Sequence, residues 1–292
     1  MKVRVPGTSA NLGAGFDVLG MALNIYNEVE FSRAESESLC IDPIFEGGLD
    51  ENLIYQSYKK IFEKFKEDLI PVKIIAKSEI PMSRGLGSSS ACIVAGVVGA
   101  YLIMGREIDR TEILKYASEI EGHPDNVAPC IMGGLVASTF VEDEVISIKV
   151  PIKNDYKLLG LIPNLEISTQ ESRKVLPTTI SLRDGVFNSS RVAILLAALV
   201  TGQDENIKYG FEDKFHQKYR GKLIPGYFEI INFLKEKNII GTYLSGAGPT
   251  IMVLVNKNEN KVKNDIEAYL KRFNVKWKVK ELYIDNLGFE II

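Results

Sequence analysis

Residues 81–91 read Pro-Met-Ser-Arg-Gly-Leu-Gly-Ser-Ser-Ser-Ala, and they run directly into the apolar, small-residue stretch Ala91 to Met104. That stretch carries no charge and two glycines, so it reads as a buried helix, and it is too short to span a bilayer. A helix of this kind needs a core built around it. The two glycines of the loop before it let backbone pass close to a ligand. The loop amides and the helix dipole then converge on one point, which suits a phosphate group. Three serines add hydroxyls at the same place. The pattern G-x-x-x-x-G-K-[ST] is absent, so this is not a Walker-type loop. Taken alone, an isolated G-x-G of this kind is better read as a Gly/Ser-capped core helix.

The flanking patterns set the class. Val3 to Val5 and Leu23 to Phe31 read as strands on either side of a Gly-rich turn. Glu51 to Glu67 is predicted to be an amphipathic helix, because Leu53, Ile54, Tyr58, Ile61, Phe62 and Phe65 recur at helical spacing. Val72 to Ala76 reads as a β-branched strand. A helix follows over Arg110 to Ile120, with Asp109 as its N-cap. Leu135 to Phe140 and Val145 to Val150 form a hairpin around an acidic turn. The polar, Pro-containing stretch Pro151 to Asp155 marks a domain boundary, giving domains 1–152 and 153–292. The second half reads as a strand at Lys157 to Ile162, a long helical region from Gln170 to Lys237, and strands at Ile240 to Leu244 and Ile251 to Val255. A helix at Glu259 to Phe273 and a strand at Lys276 to Ile284 complete it. The order β-α-β-β-α-β is the ferredoxin-like split pattern. The fold class is therefore α+β with two domains.

Composition removes several functions. Apolar residues make up 46% of the 292 and charged residues 25%, the balance of a soluble globular enzyme. The net charge of −3 gives no support for nucleic-acid binding, and no segment suits a membrane or a signal peptide. Cys40, Cys92 and Cys130 are far apart, odd in number and without C-x-x-C spacing, which argues against a disulfide framework and a structural zinc site. A cytoplasmic location is expected.

Two further Gly-rich segments, Pro6-Gly-Thr-Ser-Ala-Asn-Leu-Gly-Ala-Gly-Phe-Asp17 and Ser245-Gly-Ala-Gly-Pro-Thr250, stand before and after the loop. Together, in order and spacing, the three resemble the motifs of the GHMP kinases over nearly the whole chain. Within that class, His123-Pro-Asp-Asn-Val-Ala-Pro129 and Ser168-Thr-Gln-Glu-Ser-Arg-Lys-Val-Leu-Pro177 resemble the homoserine kinase branch. The resemblance implies a first domain of the ribosomal-S5 type and a ferredoxin-like second domain. It implies ATP and Mg²⁺ as cofactors, L-homoserine as the acceptor substrate and a homodimer.

Residue roles follow from the same resemblance. Pro81, Met82, Ser83, Arg84, Gly85, Leu86, Gly87, Ser88, Ser89 and Ser90 take the ATP phosphates. Asn52 is placed at adenine and Lys77 at phosphate, though Asn52 at a helix start is also an ordinary N-cap. Asp17 is placed at the amino group of homoserine and Asn11 at its hydroxyl, where an Asx pair in a Gly-rich turn equally caps local backbone. His123 and Thr169 stand on the substrate side. Arg173 and Arg220 are carboxylate clamps, a use that guanidinium suits better than ammonium. His216 and Arg191 read as structural. Ser89 and Glu121 are the metal pair, with Glu119 open as the alternative carboxylate because Glu121-Gly122 runs straight into His123. Asn126 occupies the place where relatives carry a catalytic Asp; Asp125 beside it is the competing base, read here as a support for the loop through backbone amides. Asn11, Asn126 and Ser89 are thus the catalytic candidates. Another GHMP specificity, such as mevalonate, shikimate or diphosphocytidyl-methylerythritol, would not need both Asp17 and Arg173. An inactive sensor would not need Ser88, Ser89 and Glu121.

Overall fold

The computed structural model describes residues 1–42, 47–256 and 261–292. Among them, seven strands make one sheet: β1 (Lys2–Ala10), β2 (Leu19–Arg33), β3 (Ser38–Asp42), β4 (Val72–Ser78), β5 (Leu135–Val141), β6 (Glu144–Val150) and β11 (Glu290–Ile291). The path is β11-β1-β2-β4-β3, and the β5–β6 hairpin branches from the far end of β2. β3 and β4 run parallel, joined through helix α1 (Leu53–Phe65); the other pairings are antiparallel. Both long strands exceed the predicted ones. The first continues through Ala10 and bulges at Pro6/Gly7, which carries the first Gly-rich segment across to the loop.

Helix α2 (Ser88–Met104) threads the core between the sheet and its companions α1, α3 (Arg110–Glu121) and α4 (Pro124–Met132). Its side chains are buried on nearly every face, as a helix apolar all round must be. α4 is a helix that periodicity did not reveal, because it is short and contains Pro129. That proline has no amide to give the carbonyl of Asp125. The carbonyl instead rests on Gly20 of β2, where a Cβ would lie 1.7 Å from it.

The second sheet is antiparallel and ordered β10-β7-β9-β8, from β7 (Tyr156–Pro163), β8 (Gly241–Leu244), β9 (Ile251–Asn256) and β10 (Trp277–Leu282). That is the ferredoxin-like order. The helical region between β7 and β8 is not continuous. It breaks into α5 (Thr169–Lys174), α6 (Leu182–Thr201), α7 (Asp204–Gly210), α8 (Gln217–Arg220) and α9 (Tyr227–Lys235). Pro177, the left-handed Gly202 at the end of α6, and Pro225-Gly226 are the punctuation. The start of the next predicted helix, Glu259, lies outside the described residues; α10 covers Lys261–Leu270. By length and composition alone α6 would cross a membrane. It carries Arg183, Asp184 and Arg191, however, and its buried Asn188 bonds the carbonyl of Ala14 and the carboxylate of Asp213.

Candidate active site

The three Gly-rich segments, remote in sequence, are stitched together by their own backbone. Thr8 N donates to Leu86 O at 3.0 Å, Gly246 N to Ala10 O at 3.1 Å and Thr250 N to Arg84 O at 3.3 Å. The Ser245 hydroxyl donates to Gly85 O at 2.6 Å and bonds Ser9 Oγ at 2.7 Å. Gly87, the residue before α2, has φ +71° and no room for a side chain, since a Cβ would sit 1.9 Å from Thr8 Oγ1. The loop therefore presents the N-terminus of α2 on a rigid base.

Two cavities meet there. A polar one of about 140 Å³ is lined by Asn11, Asp17, Ser83 to Ser90, Glu121, His123, Asp125, Asn126, Thr169, Arg173, Arg220 and Gly246. A larger one of about 500 Å³ is mainly apolar and runs from Ser83, Ser88 and Ser89 to Ile54 and Asn52. Of the sequence-assigned residues, Lys77 lies in neither. It alternates with Ala76 and Ser78, which line the larger cavity, and so points to the opposite, exposed side of β4. Asn52 lines the larger cavity while capping α1, its Oδ1 accepting from Ile54 N and Tyr55 N.

At the mouth of the polar cavity, Glu121 ends α3. Ser89 Oγ donates to its Oε2 at 3.0 Å and Ser90 Oγ to its Oε1 at 2.8 Å. Glu119 instead pairs with Lys64 at 2.8 Å and is turned away from the loop. Glu121 with the two hydroxyls is a hard oxygen donor set, which suits a divalent cation shared with phosphate. Among the described residues no cluster of three His, Cys, Asp or Glu is present to hold a metal by itself.

Asn126 lines the same cavity with its orientation fixed. Thr8 Oγ1 donates to its Oδ1 at 2.7 Å, and its Nδ2 donates to Asp125 Oδ1 at 3.3 Å. Asp125 is buried, and His123 Nδ1 lies 2.6 Å from the same oxygen. The expected bonds from Asp125 to backbone amides are replaced by these side-chain bonds. His123 is the N-cap residue of α4, yet its ring caps no backbone amide and bonds Asp125 instead. Burial opposes a charge on His123, yet the bond and charge of Asp125 outweigh it and its pKa is raised.

On the opposite wall Arg173 grips Asp17 with both nitrogens, each bond 3.0 Å. Arg220 is buried and donates to Gly246 O at 3.0 Å and Ser172 O at 3.3 Å. Burial and the Arg173 cation push its pKa down to about 10, against the pull of Asp17 and Asp125. The ring of Phe16 lies under both guanidinium groups, at 5.8 and 5.1 Å, and stacks on His216. Asn11 is committed on both sides of its amide, Nδ2 to Gly246 O at 2.9 Å and Oδ1 from Asp17 N at 3.0 Å. Thr8 and Phe16 were not singled out in the sequence; both sit inside a motif whose glycines drew the attention. Arg191 pairs with Glu212 away from the site.

His216 is fully buried, with Nε2 2.9 Å from Gly13 O and Nδ1 3.4 Å from Arg220 Nη1. A donor on one side and an acceptor on the other fix the neutral tautomer with the proton on Nε2. Burial pushes its pKa down to about 4, below the unfolded value of about 6.5. The neutral ring thus contributes stability that is complete above about pH 6.5 and lost as pH falls toward 4, an effect of a few kcal/mol. We expect Tm to fall across that window, and His216→Gln to flatten the fall while lowering Tm at pH 7. The same acid limb in both proteins would remove His216 as its source.

Family comparisons agree with this geometry. Residues 52–134 match the model of the GHMP kinases N terminal domain, and residues 195–275 that of the GHMP kinases C terminal. The homoserine kinase of Clostridium beijerinckii is 45% identical over 292 residues, covering 99% of this chain and 98% of that one. The chain belongs to the homoserine kinases of the GHMP kinase family. Among solved structures, homoserine kinase from Cytophaga hutchinsonii superposes with a TM-score of 0.89 at 27% identity, covering 100% of this chain and 97% of that one. A putative homoserine kinase from Listeria monocytogenes gives 0.80 at 28%, covering 99% and 98%. As in any GHMP kinase, ATP is the phosphoryl donor.

Proposed function

We propose that the protein transfers the γ-phosphoryl group of ATP to the side-chain hydroxyl of L-homoserine, giving O-phospho-L-homoserine for threonine synthesis. The observation that carries this reading is one cavity with a phosphate loop at one end and the Asp17–Arg173 fork at the other. The adenine end of ATP lies in the larger apolar cavity, beside Asn52, whose Oδ1 is spent on capping α1. Its phosphates pass along Ser83 to Ser90 to the N-terminus of α2. A Mg²⁺ ion held by Glu121 and Ser89 would neutralise charge on the phosphate oxygens.

In the acceptor cavity the α-amino group meets Asp17 and the carboxylate meets Arg173 and Arg220, with Thr169 and His123 closing the sides. Asn11 and Asn126 border the hydroxyl; each amide uses one donor and one acceptor, toward Gly246 and Asp17 for Asn11 and toward Asp125 and Thr8 for Asn126, and keeps one of each. The hydroxyl oxygen forms a bond to the γ-phosphorus as the bond from that phosphorus to the bridging oxygen breaks, and ADP leaves. An amide cannot take the proton, so Asn126 aligns the hydroxyl and the proton leaves late, to a phosphate oxygen or water. Loose phosphoryl transfer tolerates this, because little deprotonation is needed early. Asp125 is held by two side chains, which suits a positioning residue. A division into domains 1–152 and 153–292, a homodimer and a cytoplasmic location complete the proposal.

The test is ADP release measured against homoserine, serine, threonine, mevalonate and shikimate. Homoserine should exceed the others in kcat/KM by at least about 10²-fold: mevalonate and shikimate lack the ammonium that Asp17 takes, and serine and threonine, held by the same head group, carry the hydroxyl one methylene short of the γ-phosphate. A preference for mevalonate or shikimate, or no ADP release with any acceptor, would sink the reading.

A further inference from the structure

The wall of the larger cavity facing the phosphate loop belongs to the other sheet. Side chains of β10 alternate there. Trp277 and Val279 pack against the core of the second sheet, while Lys278 and Lys280 line the cavity. Register fixes their positions. Lys278 pairs with Ile162 and Lys280 with Gly160 of β7. One residue further along β7, Pro163 O accepts from Arg84 Nε of the phosphate loop at 3.0 Å. Lys278 therefore stands next to the loop, and Lys280 two residues deeper along the cavity.

Among the described residues neither lysine makes an ion pair. The carboxylate of β10, Glu281, lies on the other side with Lys157 and Lys263. Burial pulls the pKa of Lys280 down; the charge of Glu79 opposes this and that of Lys278 adds to it. Two cations side by side in a cavity otherwise lined by Ile41, Ile54, Ile80 and Ile162 are unfavourable until an anion arrives. Glu51 and Glu79 are the acidic groups lining the same cavity, and neither closes a pair with them.

We propose that Lys278 and Lys280 hold the polyphosphate of the bound nucleotide, so that ATP is gripped by both sheets at once. This rests on the reading that the larger cavity takes ATP. The sequence place for a phosphate-binding lysine was Lys77, which points outward; β10 supplies two cations where that one is missing. An alternating Lys-x-Lys beside Trp277 is the signal, and it looks in sequence like an ordinary solvated strand face.

Binding of AMP, ADP and ATP is measured by competition with a fluorescent adenine nucleotide, for wild type, Lys278→Gln/Lys280→Gln and Lys278→Arg/Lys280→Arg. Both lysines are at the surface of the cleft, so the fold survives, and thermal melts check it. The Gln pair should weaken ATP by about 10-fold or more, ADP less and AMP within about twofold, with a shallower dependence on salt. The Arg pair should restore most of the loss, and KM for homoserine should not move. Equal losses for all three nucleotides, or unchanged ATP affinity in the Gln pair, would overturn the proposal while leaving the ATP cavity intact. A wild-type protein that binds none of the three would overturn the ATP reading, and this proposal with it.

Discussion

Glu121→Gln lowers kcat by about 10²- to 10³-fold and leaves the protein folded, the scale for removing one electrostatic contact of a phosphoryl-transfer transition state. The position of the carboxylate gives the reason. It lies against Ser89 and Ser90, in the first turn of α2, where the phosphates of ATP also belong. Two anions converging on one helix end repel unless a cation sits between them. Glutamine keeps the size and still accepts from one serine, so local packing is preserved while the charge is lost. ATP should then bind with weak dependence on Mg²⁺, in contrast to the wild type. Steady-state kinetics over a Mg²⁺ series, with melting curves for both proteins, make the comparison. Turnover near wild type in Glu121→Gln would remove the residue from the metal and phosphate site.

Glu121 also shows how far the sequence could be read. Its type and its nearness to His123 marked it, but Glu119 was an equal carboxylate two residues away. Helical geometry separates them, because α3 turns Glu119 out to Lys64 while the left-handed Gly122 ends the helix with Glu121 over the loop. Local signals carried well wherever the chain itself sets the answer. The strand periods, the Asp109 cap and the Gly/Ser loop into an apolar helix all belong to that kind. The helices between Gln170 and Lys237 were merged because hydrophobic periodicity continues across turns that Pro177, Gly202 and Gly226 make. α4 was hidden because a nine-residue helix with two prolines has no periodicity to show. Other parts are tertiary. That Thr8 fixes the amide of Asn126, 118 residues away, depends on how β1 packs on α4, and no spacing rule reaches it. The outward turn of Lys77 follows from the pleat of β4, which residue identity alone does not phase.

Arg173→Leu raises KM for homoserine by about 10²-fold, with a smaller change in kcat and almost none in KM for ATP. The two bonds from Arg173 to Asp17 make a fork that is partly open to solvent, with 39% and 35% of the two side chains exposed. An ion pair so exposed contributes only about 0–1 kcal/mol, so it is easily exchanged. An α-amino acid head carries both complementary charges, and its ammonium and carboxylate replace each partner for the other. Arg220 stays buried beside Phe16 and adds a second cation, which among the described residues has no carboxylate within bonding distance. Charge-assisted bonds to one carboxylate contribute about 1.5–3 kcal/mol each, hence the expected factor. The carboxylate does not react, so its loss acts on binding in the ground and transition states alike and appears in KM. Arg173→Lys should recover only part of the loss, since a single ammonium cannot reproduce the fork. The amino alcohol that lacks the carboxylate should be a poor substrate for the wild type and nearly indifferent to Arg173→Leu. Equal rises in KM for homoserine and ATP, or an amino alcohol as sensitive to the substitution as homoserine, would make Arg173 a structural partner of Asp17 and nothing more.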